Sequence, residues 1–176
     1  VRAFSLMELS VVILIFGIII AGVTQGTKML TTFRLQSAQK LTLASPVNNT
    51  SGLLLWLETS MPESFVASET EDNSQITKWL DRNPQATVKL SANTTASSGI
   101  SFKLASDIYN LPALSFSGLD SAVLTLNNGS SDIALVTPKN AYTFFVVAKL
   151  NNDASSAFKT VFANGDSSGW GYGVSG

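Results

Sequence analysis

The side chain with the most pointed chemical demand in this sequence is Glu8. It is the only ionisable group in the run Phe4 to Val23, FSLMELSVVILIFGIIIAGV. A carboxylate within an apolar stretch that enters a bilayer costs on the order of 2–3 kcal/mol unless it stays near the interface or meets a cation. The chemistry it could do is ion pairing in a low-dielectric setting, with a charge tolerated only when a partner cation is correctly placed.

Elsewhere the residue types exclude more than they suggest. The 176 residues contain no Cys and no His. A disulfide framework, a thiolate metal site, a cysteine nucleophile and the commonest general base are therefore absent from this sequence. Glycoside hydrolysis remains conceivable, because it needs only two carboxyls, about 5 Å apart or about 6.5–9.5 Å apart. Borne on a strand, such a pair would show as acidic residues at i and i+2. No strand-like segment has that alternation, and Glu69-Thr70-Glu71-Asp72 reads as a solvated loop. Asp120, Asp132, Asp153 and Asp166 stand apart from any dense Asp/Asn spacing that would suit calcium, and read as turn residues. Trp56 and Trp79 have apolar neighbours and read as core. Gly169-Trp170-Gly171-Tyr172-Gly173 leaves Trp170 and Tyr172 open between core strand and a ligand platform. No catalytic group, metal site or cofactor is expected, and a net charge of −1 argues against nucleic acid.

The near-neutral balance hides an asymmetry. Arg2, Lys28, Arg34 and Lys40 against Glu8 give +3 before Leu43, whereas seven Lys/Arg against eleven Asp/Glu give −4 after it. The apolar run matches the roughly 20 residues a helix needs to cross the hydrocarbon core. A helix apolar on every face needs protein or lipid on all sides, and a remainder of this size could hardly wrap one. Residues 4–23 are therefore read as a transmembrane helix. From Thr24 the pattern turns amphipathic, with Leu30, Phe33, Ala38 and Leu41 on one face, so residues 24–45 are read as a stalk continuing the same helix. Ser45-Pro46 is a natural stop, and residues 46–52 read as a linker.

After Gly52 the period changes to short β-prone runs. These are Leu53–Leu57, Ala113–Phe116, Ala122–Leu126, Tyr142–Ala148 and Thr160–Phe162, separated by polar turns such as Asn127-Asn128-Gly129. Short strands without interleaved long helices predict an antiparallel sandwich or jelly roll. The fold class expected is α+β, mainly β, with a long helix followed by an antiparallel β-sandwich.

Two resemblances refine this. Arg2-Ala3-Phe4-Ser5-Leu6-Met7-Glu8-Leu9, followed by the apolar run, resembles the processing and assembly signature of type IV pilins and pseudopilins. The resemblance implies cleavage between Ala3 and Phe4 by a prepilin peptidase/methyltransferase, N-methylation of Phe4, and assembly with sister subunits through Glu8. A cut there leaves an α-amino group one helical turn from Glu8, and a neighbour's amine could neutralise that carboxylate as the helices pack. The family's usual helix-bending Pro and C-terminal Cys pair are not present, so a bend past the apolar run would rest on Gly22 and Gly26. Position 1 is Val, read as a literally translated non-standard start or the end of a truncated leader, with residues 1–3 as leader remnant.

The second resemblance lies in residues 53–176. Leu55–Thr59, Ile76–Asp81, Leu111–Gly118 and Phe144–Lys149 are similar to successive landmarks of bacterial laminin-G-like, concanavalin A-like jelly-roll domains. Such domains have more strands, which implies a C-terminally incomplete one here. Together the resemblances imply a single-pass subunit of a bacterial inner membrane, its head outside the cytoplasm, entering a pilus or pseudopilus. The head would bind a carbohydrate, a cell-surface ligand or another subunit. The alternative is a membrane-anchored glycan-binding or glycan-hydrolysing protein that enters no filament.

Overall fold

A computed structural model describes residues 5–94, 99–117, 122–127, 143–150, 159–164 and 170–174. It begins with one helix, α1, Leu6–Leu43, that runs unbroken through Gly22 and Gly26. The segments expected to be transmembrane and stalk thus share a single 38-residue element, about 57 Å long at 1.5 Å per residue. No residue of α1 is buried. The helical stretch Leu6–Asn49 contains a window long and apolar enough to cross a membrane, and none of that window is buried among the described residues. Ala44 caps the helix by donating its N–H to Lys40 O, and Pro46 then opens a single 3-10 turn, Pro46–Asn49.

Beyond Gly52 the described strands are short and antiparallel. They are β1 (Lys78–Leu80), β2 (Ser91–Asn93), β3 (Ile100–Lys103), β4 (Ala113–Phe116), β5 (Thr125–Asn127), β6 (Lys159–Asn164) and β7 (Trp170–Val174). They form a three-stranded sheet in the order β1-β2-β5 and two hairpins, β3-β4 and β6-β7. The class is α+β, although more described residues lie in α1 than in all strands together.

The core follows from the period of 2 in β3. Ile100 and Phe102 are buried while Ser101 and Lys103 are half-exposed. Ile100 and Phe102 pack with Phe65 and Ile76, and Trp79, Leu114, Ala122 and Leu124 lie against that cluster. Phe65 sits between two rings, stacked on Trp79 at 6.0 Å and edge-on to Phe102 at 5.2 Å. Both tryptophans expected in the core are half-buried.

Several expectations need correcting. Leu53–Leu57 forms no ladder strand. Its backbone is held instead by the β1 end: Trp56 N–H donates to Asp81 Oδ1 at 3.0 Å, Arg82 N–H donates to Trp56 O at 2.8 Å, and Asn83 Nδ2 donates to Leu53 O at 2.6 Å. The described part of Tyr142–Ala148 also lies outside any ladder strand, and Ala122–Leu126 contributes only Thr125 and Leu126 to β5. β2 and β3 were not among the expected runs: Ser91-Ala92-Asn93 is too polar to signal a strand, whereas the alternation Ile100-Ser101-Phe102-Lys103 carries the signal in a single pair of apolar residues.

Candidate functional site

The N-terminal turn of α1 is built by two residues of the signature. Ser5 is the N-cap, with extended backbone (φ −70°, ψ 143°), and its hydroxyl accepts from Met7 N–H at 3.3 Å. Glu8 reaches back, and its Oε2 accepts Ser5 N–H at 2.9 Å. This is a capping box: two helix-terminal N–H groups that would lack partners are satisfied reciprocally, and the carboxylate lies at the positive end of the helix dipole. Ser5-x-x-Glu8 ahead of an apolar run is the sequence pattern of this box, a signal that the assembly signature shares. An ionised carboxylate has about four acceptor positions. The cap occupies one, so Glu8 can cap its own helix and still receive a cation. Ala3 and Phe4, the expected cleavage and methylation positions, lie outside the described residues.

The stalk offers two faces. Thr31, Leu35, Ala38, Gln39 and Thr42 are half-buried and share one side at helical spacing. Gln39 Nε2 donates to Ser60 O at 2.9 Å, and the Thr42 and Ser60 hydroxyls lie 3.4 Å apart. The face expected to pack was Leu30, Phe33, Ala38 and Leu41; of these only Ala38 is half-buried, and Leu30 (58%), Phe33 (57%) and Leu41 (71%) are exposed. The side turned to Ser60 is thus the more polar one, because hydrogen bonds fix it, and the apolar stripe stays uncovered. The linker is tied as well. Gln85 Nε2 bonds both Asn48 O (3.0 Å) and Thr50 O (3.1 Å), and Asn48 Nδ2 donates to Leu43 O at 2.8 Å.

In the head, the polar groups best placed to hold structure are Asp81 and Asn83, at 4% and 1% exposure. Asp81 Oδ1 accepts from both Trp56 N–H and Asn83 N–H, at 3.0 and 2.8 Å. Asp81 Oδ2 is buried without a hydrogen-bond partner among the described residues. Glu69, expected in a solvated loop, is buried and accepts from Thr77 N–H at 3.1 Å and from the Thr77 hydroxyl. Asp72, which is exposed, accepts from Leu104 N–H at 2.9 Å. The Glu69–Asp72 segment therefore ties β1 and β3 together, and the acidic residues serve as backbone acceptors. Among the described residues no group of three or more acidic side chains could hold a metal ion.

Trp170 and Tyr172 lie in β7, where their backbones pair with Asn164 and Phe162 of β6. Asp120, Asp132, Asp153 and Asp166 lie outside the described residues. Comparison with protein-family models, with curated proteins and with solved structures finds no match to this chain.

Proposed function

We propose that this chain is a type IV pilin-like or pseudopilin-like subunit, processed before Phe4, that assembles through α1 and presents an extracytoplasmic β head. The observation that carries this reading is Glu8: a lone carboxylate at the first turn of an uncovered apolar helix, preceded by Arg2-Ala3-Phe4-Ser5. In a plain anchor the carboxylate would serve only the cap it makes with Ser5 N–H, which leaves the rest of its charge unused. A filament uses it, since a neighbour's terminal amine offsets the carboxylate only at the correct stagger. Glu8 then sets register rather than supplying raw stability.

A further feature supports the reading. The exposed stripe Met29, Leu30, Phe33 and Leu41 continues the apolar surface beyond the membrane segment, where sister helices would lie. We read the head as a laminin-G-like jelly roll. That rests on the order of the landmarks, and on Asp81 of the Trp79-Leu80-Asp81 element bridging Trp56 to Asn83.

N-terminal mass spectrometry of protein recovered from its native membrane tests the proposal. A chain beginning at N-methylated Phe4 is expected. An intact leader, or a cut near Gly26, would overturn it and leave a membrane-anchored β domain.

A further inference from the structure

Residues 143–150 have the composition of a strand and no ladder. They read Thr143-Phe144-Phe145-Val146-Val147-Ala148-Lys149-Leu150, and the first six carry no charge, glycine or proline. Their exposure alternates with the period of a strand: Phe145 (95%) and Val147 (86%) stand out further than Phe144 (36%) and Val146 (58%). The less exposed side is seated, since the Phe144 ring lies 4.4 Å from that of Phe162 in β6. The other side holds an aromatic and a β-branched side chain out in water. Among the described residues, the backbone groups of Phe145, Val146, Val147 and Ala148 make no hydrogen bond. An extended apolar run with open backbone groups and no charge to guard it is a template for another strand.

We propose that this segment pairs antiparallel with the same segment of a second copy, about a two-fold axis through Val146. In that register Phe145 of each copy faces Val147 of the other, Val146 meets Val146, Phe144 meets Ala148, and Lys149 lies opposite Thr143. Apolar residues stand against apolar ones from Phe144 to Ala148, and aromatic–β-branched pairs of this kind stabilise antiparallel ladders. The open backbone groups of Phe145 and Val147 exchange N–H···O bonds in both directions across the axis.

Charge selects this arrangement over its rivals. Moving the axis to Val147 sets the Lys149 ammonium against Phe145, and parallel in-register stacking sets Lys149 beside Lys149 of the next copy. About Val146 the two ammonium groups lie at opposite ends of the ribbon, each beside its own Asp107 carboxylate at 3.2 Å. The contact is isologous, so it closes at two copies. It goes beyond the filament reading and does not depend on it, because it uses residues of the head alone.

The chain has no cysteine, so a single introduced one reports the contact by itself. Full-length chain in detergent carrying Phe145→Cys, Val146→Cys or Val147→Cys is oxidised with copper phenanthroline, and dimer is read on a non-reducing gel. Residues facing each other across the axis have Cα atoms about 4.5–5.5 Å apart, within disulfide reach, whereas diagonal positions at about 7–8 Å lie beyond it. Val146→Cys is therefore expected to give dimer roughly tenfold faster than either neighbour alone. Phe145→Cys mixed with Val147→Cys should cross-link where neither does by itself, and Phe145→Lys added to Val146→Cys should remove its dimer. Exposure alone predicts the reverse order, since Phe145 and Val147 are more open than Val146. That reverse order, which chance collision of copies held by α1 would give, overturns the proposal. So do equal rates at all three positions, the mark of a parallel stack, and absence of dimer from Val146→Cys. A methylated Phe4 without the Val146 cross-link sinks the pair and keeps the filament reading; the cross-link in a chain with an intact leader does the reverse.

Discussion

At the scale of the residue, Glu8 carries two separable duties, a hydrogen bond to Ser5 N–H and a negative charge. Glu8→Gln keeps an acceptor for the cap and removes the charge. Helix start and membrane insertion should therefore persist while the sheared-filament fraction falls by about tenfold or more, in keeping with the loss of one desolvated ion pair. Ser5→Ala does the opposite. It costs about 1 kcal/mol of helix stability and leaves assembly in place, and filament yield beside circular dichroism distinguishes the two. In the head, Asp81→Ala strands the half-buried N–H of Trp56 and the buried N–H of Asn83. A loss of about 2–4 kcal/mol is expected in denaturant unfolding, because each unsatisfied buried donor costs about 1–3 kcal/mol. Asp81→Asn retains an acceptor and should lose less.

At the scale of the element, the helix was legible and the strands only partly so. The apolar run between Phe4 and Val23 announces α1 because every turn repeats the same signal. Ser91-Ala92-Asn93 announces nothing, since a three-residue polar strand exists only through its neighbours on both sides, β1 and β5. Leu53–Leu57 misled for the converse reason: its composition favours a strand, but Asp81, Arg82 and Asn83 capture its backbone groups first. The stalk face misled because apolar periodicity identifies what could pack and says nothing of which face a glutamine 21 residues upstream of its acceptor will choose. Gln39→Ala removes that choice. Faster amide exchange over 39–43 and a stability loss of about 1 kcal/mol are expected. Gly22 and Gly26 have nothing within 4 Å of where a Cβ would stand. Gly22→Ala should accordingly strengthen the helix in the single chain by up to about 1 kcal/mol, measured by thermal unfolding in detergent.

At the scale of the whole molecule, a basic apolar end joins an acidic remainder. Full-length chain mixed with vesicles during folding should float with them and resist carbonate extraction, and added protease should reach the head from one side only. Release by carbonate would sink the spanning reading. The Asp107–Lys149 pair shows the limit of the sequence at this scale: the two are 42 positions apart, and only folding sets them side by side. Nothing in the local pattern around Tyr109, which is exposed, separates it from a core ring.

The bonds from Gln39 and Thr42 to Ser60, with Gln85 gripping the linker, have a geometric consequence: they clock the head. Each helical residue advances about 100° in azimuth and about 1.5 Å along the axis. The latched face and the stripe of Leu30, Phe33 and Leu41 are thus separated by a fixed angle of roughly 140°. Inserting one residue between Phe33 and Gln39 would swing the head by about 100°, whereas inserting seven, nearly two full turns, would restore its bearing to within about 20° and raise it about 10 Å. Any array that packs these rods by their stripes inherits the direction in which every head points, so the compass of the surface is written in the spacing of the stalk.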